Sequence, residues 1–146
     1  MPVYFHAEDV QLPIPLKSGP WKKWLQLVAK GHGYKLGELN YIFCSDSYLL
    51  EMNMNYLKHD TLTDIITFDN SETTGPLEGD IYISLERVAE NARKFKVTTA
   101  EELARVMAHG LLHLCGFRDK AVGEIKEMRK QEALALDIAR EIMGGG

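Results

Sequence analysis

Cysteine is scarce. Cys44 and Cys115 are the only two in 146 residues, which excludes a disulfide framework and reads as a pair of reduced thiols. No apolar run approaches the roughly 18 residues of a bilayer span, so no membrane helix is expected. From Met1 to Asp9 the chain lacks the basic-then-apolar layout of a secretory signal, and cytoplasmic residence is the expectation. Neither sign of charge dominates: 17 Lys and Arg against 21 Asp and Glu leave a net charge of −4. A global basic field for nucleic acid is therefore absent, and any such contact has to be local. Repeats, low-complexity segments and interdomain linkers are also lacking.

What remains is an ordinary globular composition, with 45% apolar and 26% charged residues. The length suits one domain over residues 1–146 with a real core. Patterning predicts strands at Val3 to His6, Leu39 to Cys44, Asp64 to Phe68 and Gly79 to Ser84, the last two joined by a hairpin loop from Asp69 to Glu78. Pro13 and Pro15 mark a link, and Pro20 suits a helix start. Trp21, Trp24, Leu25 and Val28 fall at i, i+3, i+4 and i+7, a core stripe rather than a stacking platform. Asp46 is placed to cap a helix from Ser47 to about Leu57. Leu85 to Phe95 is helical by pattern, and Thr98 to Glu101 contains a capping box that starts a helix running from Thr99 to about Cys115. An amphipathic segment from Val122 to Met143, with Ile125, Met128, Leu134, Leu136 and Ile138, closes the domain. Gly144 to Gly146 is expected to be a disordered end. The fold class is α+β, a mixed sheet of about four strands under several helices.

Chemistry concentrates between Met107 and Lys120. His109 and His113 are four residues apart, so on a helix both imidazoles lie on one face and can converge on one cation. Gly116 can end that helix in the left-handed conformation and turn the chain back, which lets Asp119 reach the same ion. Three protein ligands leave a fourth position of tetrahedral zinc for water, the mark of a catalytic rather than a structural site. Cys115, two residues after His113, points about 200° around the axis and is not a ligand; Cys44 reads as a small buried residue. The helix, glycine turn and acidic third ligand resemble the metzincin layout. Gly110 stands where H-E-x-x-H proteases carry their glutamate base, so ordinary zinc-protease chemistry is not expected.

The run His109-Gly110-Leu111-Leu112-His113-Leu114-Cys115-Gly116-Phe117-Arg118-Asp119 resembles the signature H-G-x-L-H-L-x-G-x-D-H of the YbeY endoribonucleases, or rRNA maturation factors, and matches six of its eight fixed positions. Thr63 to Phe68 is similar to the family's P-T-D-V-L-S-F strand, and Gly79 to Ser84 to its G-D-I-x-I-S strand. Order, spacing and length fit over nearly the whole chain. There are two departures. Asp119 replaces the third histidine, after Arg118 in place of an aspartate; the added negative charge makes the ion a slightly weaker Lewis acid. Leu57 stands where an arginine usually follows the N-x-x-Y/F segment, and Lys58 and Arg118 are the cations at hand to take its role.

The resemblance implies a metal-dependent single-strand endoribonuclease acting in rRNA maturation and ribosome quality control. On this reading His109, His113 and Asp119 hold one divalent ion per chain, zinc by its N/O ligand set. Arg118, Arg105 and Lys58 counter phosphate charge. Single-stranded RNA, rRNA and ribosomal components are the implied partners. No general base is visible in the sequence. Asp64 and Asp80 read as turn or strand residues, and Thr63 to Phe68 is the candidate edge strand beside the metal cleft. The alternative is a ribosome-associated assembly factor with a largely structural metal and little catalysis; a hydrolase for other substrates, peptides included, is weaker.

Overall fold

Parallel strands need long crossovers, and helices supply them here. A computed structural model describes residues 3–13, 16, 19–57 and 63–143; Pro15, Lys58 and residues 144–146, used above, lie outside them. Along the chain run β1 (Val3–Ala7), α1 (Pro20–Gly31), β2 (Leu36–Cys44), α2 (Asp46–Tyr56), β3 (Ile65–Asp69), β4 (Leu77–Ser84), α3 (Leu85–Phe95), α4 (Thr99–Leu114) and α5 (Val122–Ile142). The sheet order is β1-β2-β4-β3. β1 pairs β2 and β2 pairs β4 in parallel, while β3 returns antiparallel to β4 with Ile66 opposite Tyr82. This is the expected mixed α+β sheet, with β3 on one edge.

Strand side chains alternate between faces. Val3, Leu39, Tyr41, Phe43, Ile81 and Ile83 project to one face and join Trp24, Leu25, Met107, Leu111, Leu112 and Met128 in the larger apolar core. On the other face α2 covers Cys44 and Ile66 with Leu49. The buried polar ends are satisfied: Trp24 Nε1 donates to the Ala135 carbonyl at 2.8 Å, and Tyr41 Oη donates to the Met107 carbonyl at 2.8 Å. The Tyr41 bond ties β2 to α4 two residues ahead of the first histidine.

α4 lies unusually close to the sheet. A Cβ built on Gly110 would stand 2.9 Å from Ile81 Cγ2 and 3.0 Å from Ile65 Cδ1, and one on Gly79 would meet Leu114 at 3.2 Å. Only hydrogen fits at position 110, which explains the missing protease glutamate: that side chain would project into the sheet.

Two local readings are corrected. The N-cap of α2 is Ser45, whose hydroxyl accepts the Tyr48 N–H at 3.2 Å. Asp46 sits inside the first turn, where the parallel β2 and β4 ends bring Arg87 to 3.0 Å and the Ser84 hydroxyl to 2.7 Å from its carboxylate. In α5 the buried stripe is Met128, Glu132, Ala135 and Ala139, whereas Ile125 and Leu134 are exposed. The helix is rotated so that small residues meet α4 and α1.

Replacing Gly110 by Glu is expected to lower stability by about 3 kcal/mol or more, from overpacking and a buried charge, read as a fall in the urea midpoint. Burial, assisted by the Asp9, Glu8 and Asp46 carboxylates, pushes the Cys44 thiol up to about 12. It is therefore expected to resist alkylation at pH 8 in the folded protein and to react once the chain unfolds.

Candidate metal centre

The site begins with the cap of α4. The Thr98 hydroxyl accepts the Glu101 N–H at 3.1 Å, starting the helix where the capping residues predicted. With Gly110 turned to the sheet, His109 and His113 face the groove beside β3. Their Nε2 atoms are 3.0 Å apart, and their rings are nearly perpendicular at 81°.

The helix ends as the glycine predicted. Gly116 has φ +100°, its N–H donates to the His113 carbonyl at 3.0 Å, and the Phe117 N–H donates to Leu112 at 3.0 Å. These two bonds make a Schellman motif. Phe117 then packs against the core and edge-on to His32, so the chain doubles back and delivers Asp119. Asp119 Oδ2 stands 3.2 Å from His109 Nε2 and 3.5 Å from His113 Nε2.

These donors fit a metal. Zinc–ligand bonds of about 2.0–2.1 Å in tetrahedral geometry separate ligand atoms by roughly 3.3 Å, and the pairs here measure 3.0, 3.2 and 3.5 Å. Imidazole lone pairs and a carboxylate oxygen at such separations are stabilised by a shared cation. Among the described residues His109, His113 and Asp119 form the group able to hold an ion. Cys115 caps the helix outside it, with its thiol pushed up to about 12 by burial.

Behind His109 lies a charged row that sequence reasoning missed. Oε2 of Glu132 on α5 is hydrogen-bonded with His109 Nδ1 at 2.6 Å, and its Oε1 accepts from Arg105 Nη1 at 3.1 Å and Arg129 Nη1 at 3.2 Å. Arg105 also grips Glu102 with two bonds of 2.9 and 2.6 Å and lies 3.7 Å from Asp64. Burial alone would raise the Glu132 carboxyl; the His109 hydrogen bond and the Arg105 charge outweigh it and hold the group below its ordinary range. Arg105 thus lines the groove with its guanidinium matched by carboxylates. Arg118 is exposed on the loop before Asp119 and is not among the residues that line the groove. The signal for Glu132 was its place one turn after Met128 on the buried stripe of α5, an acid where an apolar residue belongs.

The groove itself has a volume of about 830 Å³ and runs between β3 and the histidine face of α4. Residues of the edge strand line it, as expected for Thr63 to Phe68. So does Leu57, and Lys120 and Arg129 line it as well. Arg129 keeps 61% of its side chain exposed.

Fold and site together define a class: an α+β protein with a His-His-Asp cluster able to hold a metal ion, in an open groove beside a sheet edge. The family model described as endoribonuclease YbeY matches residues 7–139. An endoribonuclease YbeY of Cytophaga hutchinsonii is 49% identical, covering 94% of this chain and 96% of the relative. One from Parabacteroides distasonis is 46% identical over 97% and 98%. The solution structure of TM1509 from Thermotoga maritima superposes with a TM-score of 0.69 at 26% identity, covering 95% of this chain and 89% of that one. The chain belongs to the YbeY family. Among the described residues no helix is long and apolar enough to cross a membrane.

Gly116→Ala forces a Cβ into left-handed backbone at a cost of about 1–2 kcal/mol. It is expected to weaken zinc binding as well, because Asp119 depends on that turn, whereas Gly116→Asn should be milder on both counts. Thermal unfolding and zinc titration check the pair.

Proposed function

We propose that this chain, acting as one domain, is a metal-dependent single-strand endoribonuclease of rRNA maturation and ribosome quality control, cytoplasmic and working on ribosomal RNA among ribosomal components. The observation that carries the reading is the convergence of His109 and His113 Nε2 with Asp119 Oδ2 inside an open groove, in a chain of the YbeY family. Zinc, one per chain, suits the N/O donor set. A divalent ion held there supplies Lewis acidity toward a phosphoryl oxygen and makes water a better nucleophile.

The protein's own residues do the rest. The groove beside β3 takes an extended strand. Lys120 and Arg129 line it and offer charge to the phosphodiester, with Arg118 on the adjoining loop and Lys58 as further cations. Arg105, matched by Glu102 and Glu132, serves the site by holding those carboxylates. No glutamate base can be accommodated at Gly110, so peptide hydrolysis by the H-E-x-x-H route is not supported.

Leu57 in the groove wall favours a second reading, an assembly factor whose metal is mainly structural. His113→Ala separates the two. If the chain is a nuclease, the variant stays folded and cleavage of a single-stranded RNA falls about 10- to 100-fold or more. If it only loses thermal stability, and wild type does not cleave, the assembly-factor reading stands.

A further inference from the structure

A carboxylate buried on the apolar stripe of a helix is costly unless every oxygen is partnered. Glu132 is 2% exposed, and so is Glu102. Both oxygens of Glu132 are used: Oε2 by His109 Nδ1 at 2.6 Å, and Oε1 by Arg105 and Arg129 at 3.1 and 3.2 Å. Arg105 is in turn fixed by its two bonds to Glu102. The row crosses from α4 to α5 and back, so neither helix can turn without breaking it.

We propose that Glu132 is the positioning residue of the metal centre: clamped by Arg105, it sets the tautomer and ring orientation of His109 before any ion binds. An ionised carboxylate only accepts hydrogen bonds. Nδ1 of His109 therefore carries the proton, and Nε2 keeps its lone pair aimed at the point shared with His113 and Asp119. The centre is asymmetric. Among the described residues no carboxylate stands behind Nδ1 of His113, whose side chain is 30% exposed against 16% for His109. Asp119 sits on a loop. His109 is the preset ligand, and His113 and Asp119 complete the set without such a partner.

The inference rests on His109 being a metal ligand, and the test separates the two ideas. Long-range proton–nitrogen spectra of the metal-free protein read the imidazole tautomer, and titration with zinc alone reads affinity. Wild type should show His109 protonated at Nδ1. Glu132→Ala should lose that preference and bind zinc about 10- to 100-fold more weakly. Glu132→Gln keeps one acceptor oxygen, which Arg105 and Arg129 claim; its NH2 then faces Nδ1, so this variant should move the His109 proton to Nε2 and weaken zinc binding as Glu132→Ala does. Glu102→Ala should lower the unfolding midpoint yet keep the tautomer. If Glu132→Ala does not fold, Glu132→Asp, one methylene too short to reach Nδ1, replaces it and should show the same loss. An unchanged tautomer with zinc affinity within about twofold in the folded variant would overturn the proposal. Unchanged affinity in His109→Ala would instead overturn the metal-ligand reading beneath it.

Discussion

The contact of Gly110 with the sheet is the constraint on which the site depends. With only a hydrogen between the α4 backbone and Ile81 and Ile65, the helix is seated on β4 and β3 in a fixed rotation. Each residue advances about 100° around the axis, so once position 110 faces the sheet, Arg105, His109 and His113 must face the groove side. Tyr41, bonded to the Met107 carbonyl, fixes the same rotation from the other flank. An apolar packing rule thereby aims polar ligands. The same rule removes the position that a protease would use for its base, so the chemistry open to this fold follows partly from how closely two layers pack.

A second consequence is electrostatic. The helix that carries the ligands also has to bury Glu102, and the neighbouring helix Glu132. Carboxylates in such positions destabilise a core unless cations accompany them, and Arg105 answers both. The guanidinium that the sequence offers as a phosphate ligand is engaged by these carboxylates at the groove wall, where Arg129 and Lys120 also stand. The net charge of −4 is compatible with this arrangement, because a few cations confined to one groove are enough to hold one strand locally.

Much of this was legible in the chain. The α4 cap at Thr98, the i, i+4 histidines and the glycine turn that returns Asp119 are local features, encoded over a few residues by hydrogen-bond geometry and backbone sterics. The α3 helix from Leu85 to Phe95, the Trp21 to Val28 stripe and the β3–β4 hairpin were equally local. Strand ends moved by up to three residues, since β2 pairs from Leu36 through an irregularity that alternation does not register. What could not be read was nonlocal. Glu132 lies 23 positions from His109, and no spacing rule links two helices across a core; the pairing of Arg105 with Glu132 is nonlocal in the same way. Asp46 looked like a cap because Asp is a good one, but the tertiary partner Arg87 took its carboxylate and left the cap to Ser45.

X-ray absorption on the zinc-loaded protein tests the central claim most directly. An open His109, His113 and Asp119 site predicts two imidazoles in a shell of nitrogen and oxygen at about 2.0–2.2 Å, four ligands in all with one from solvent. A sulfur scatterer at about 2.3 Å, or a shell closed by four protein ligands, would contradict it.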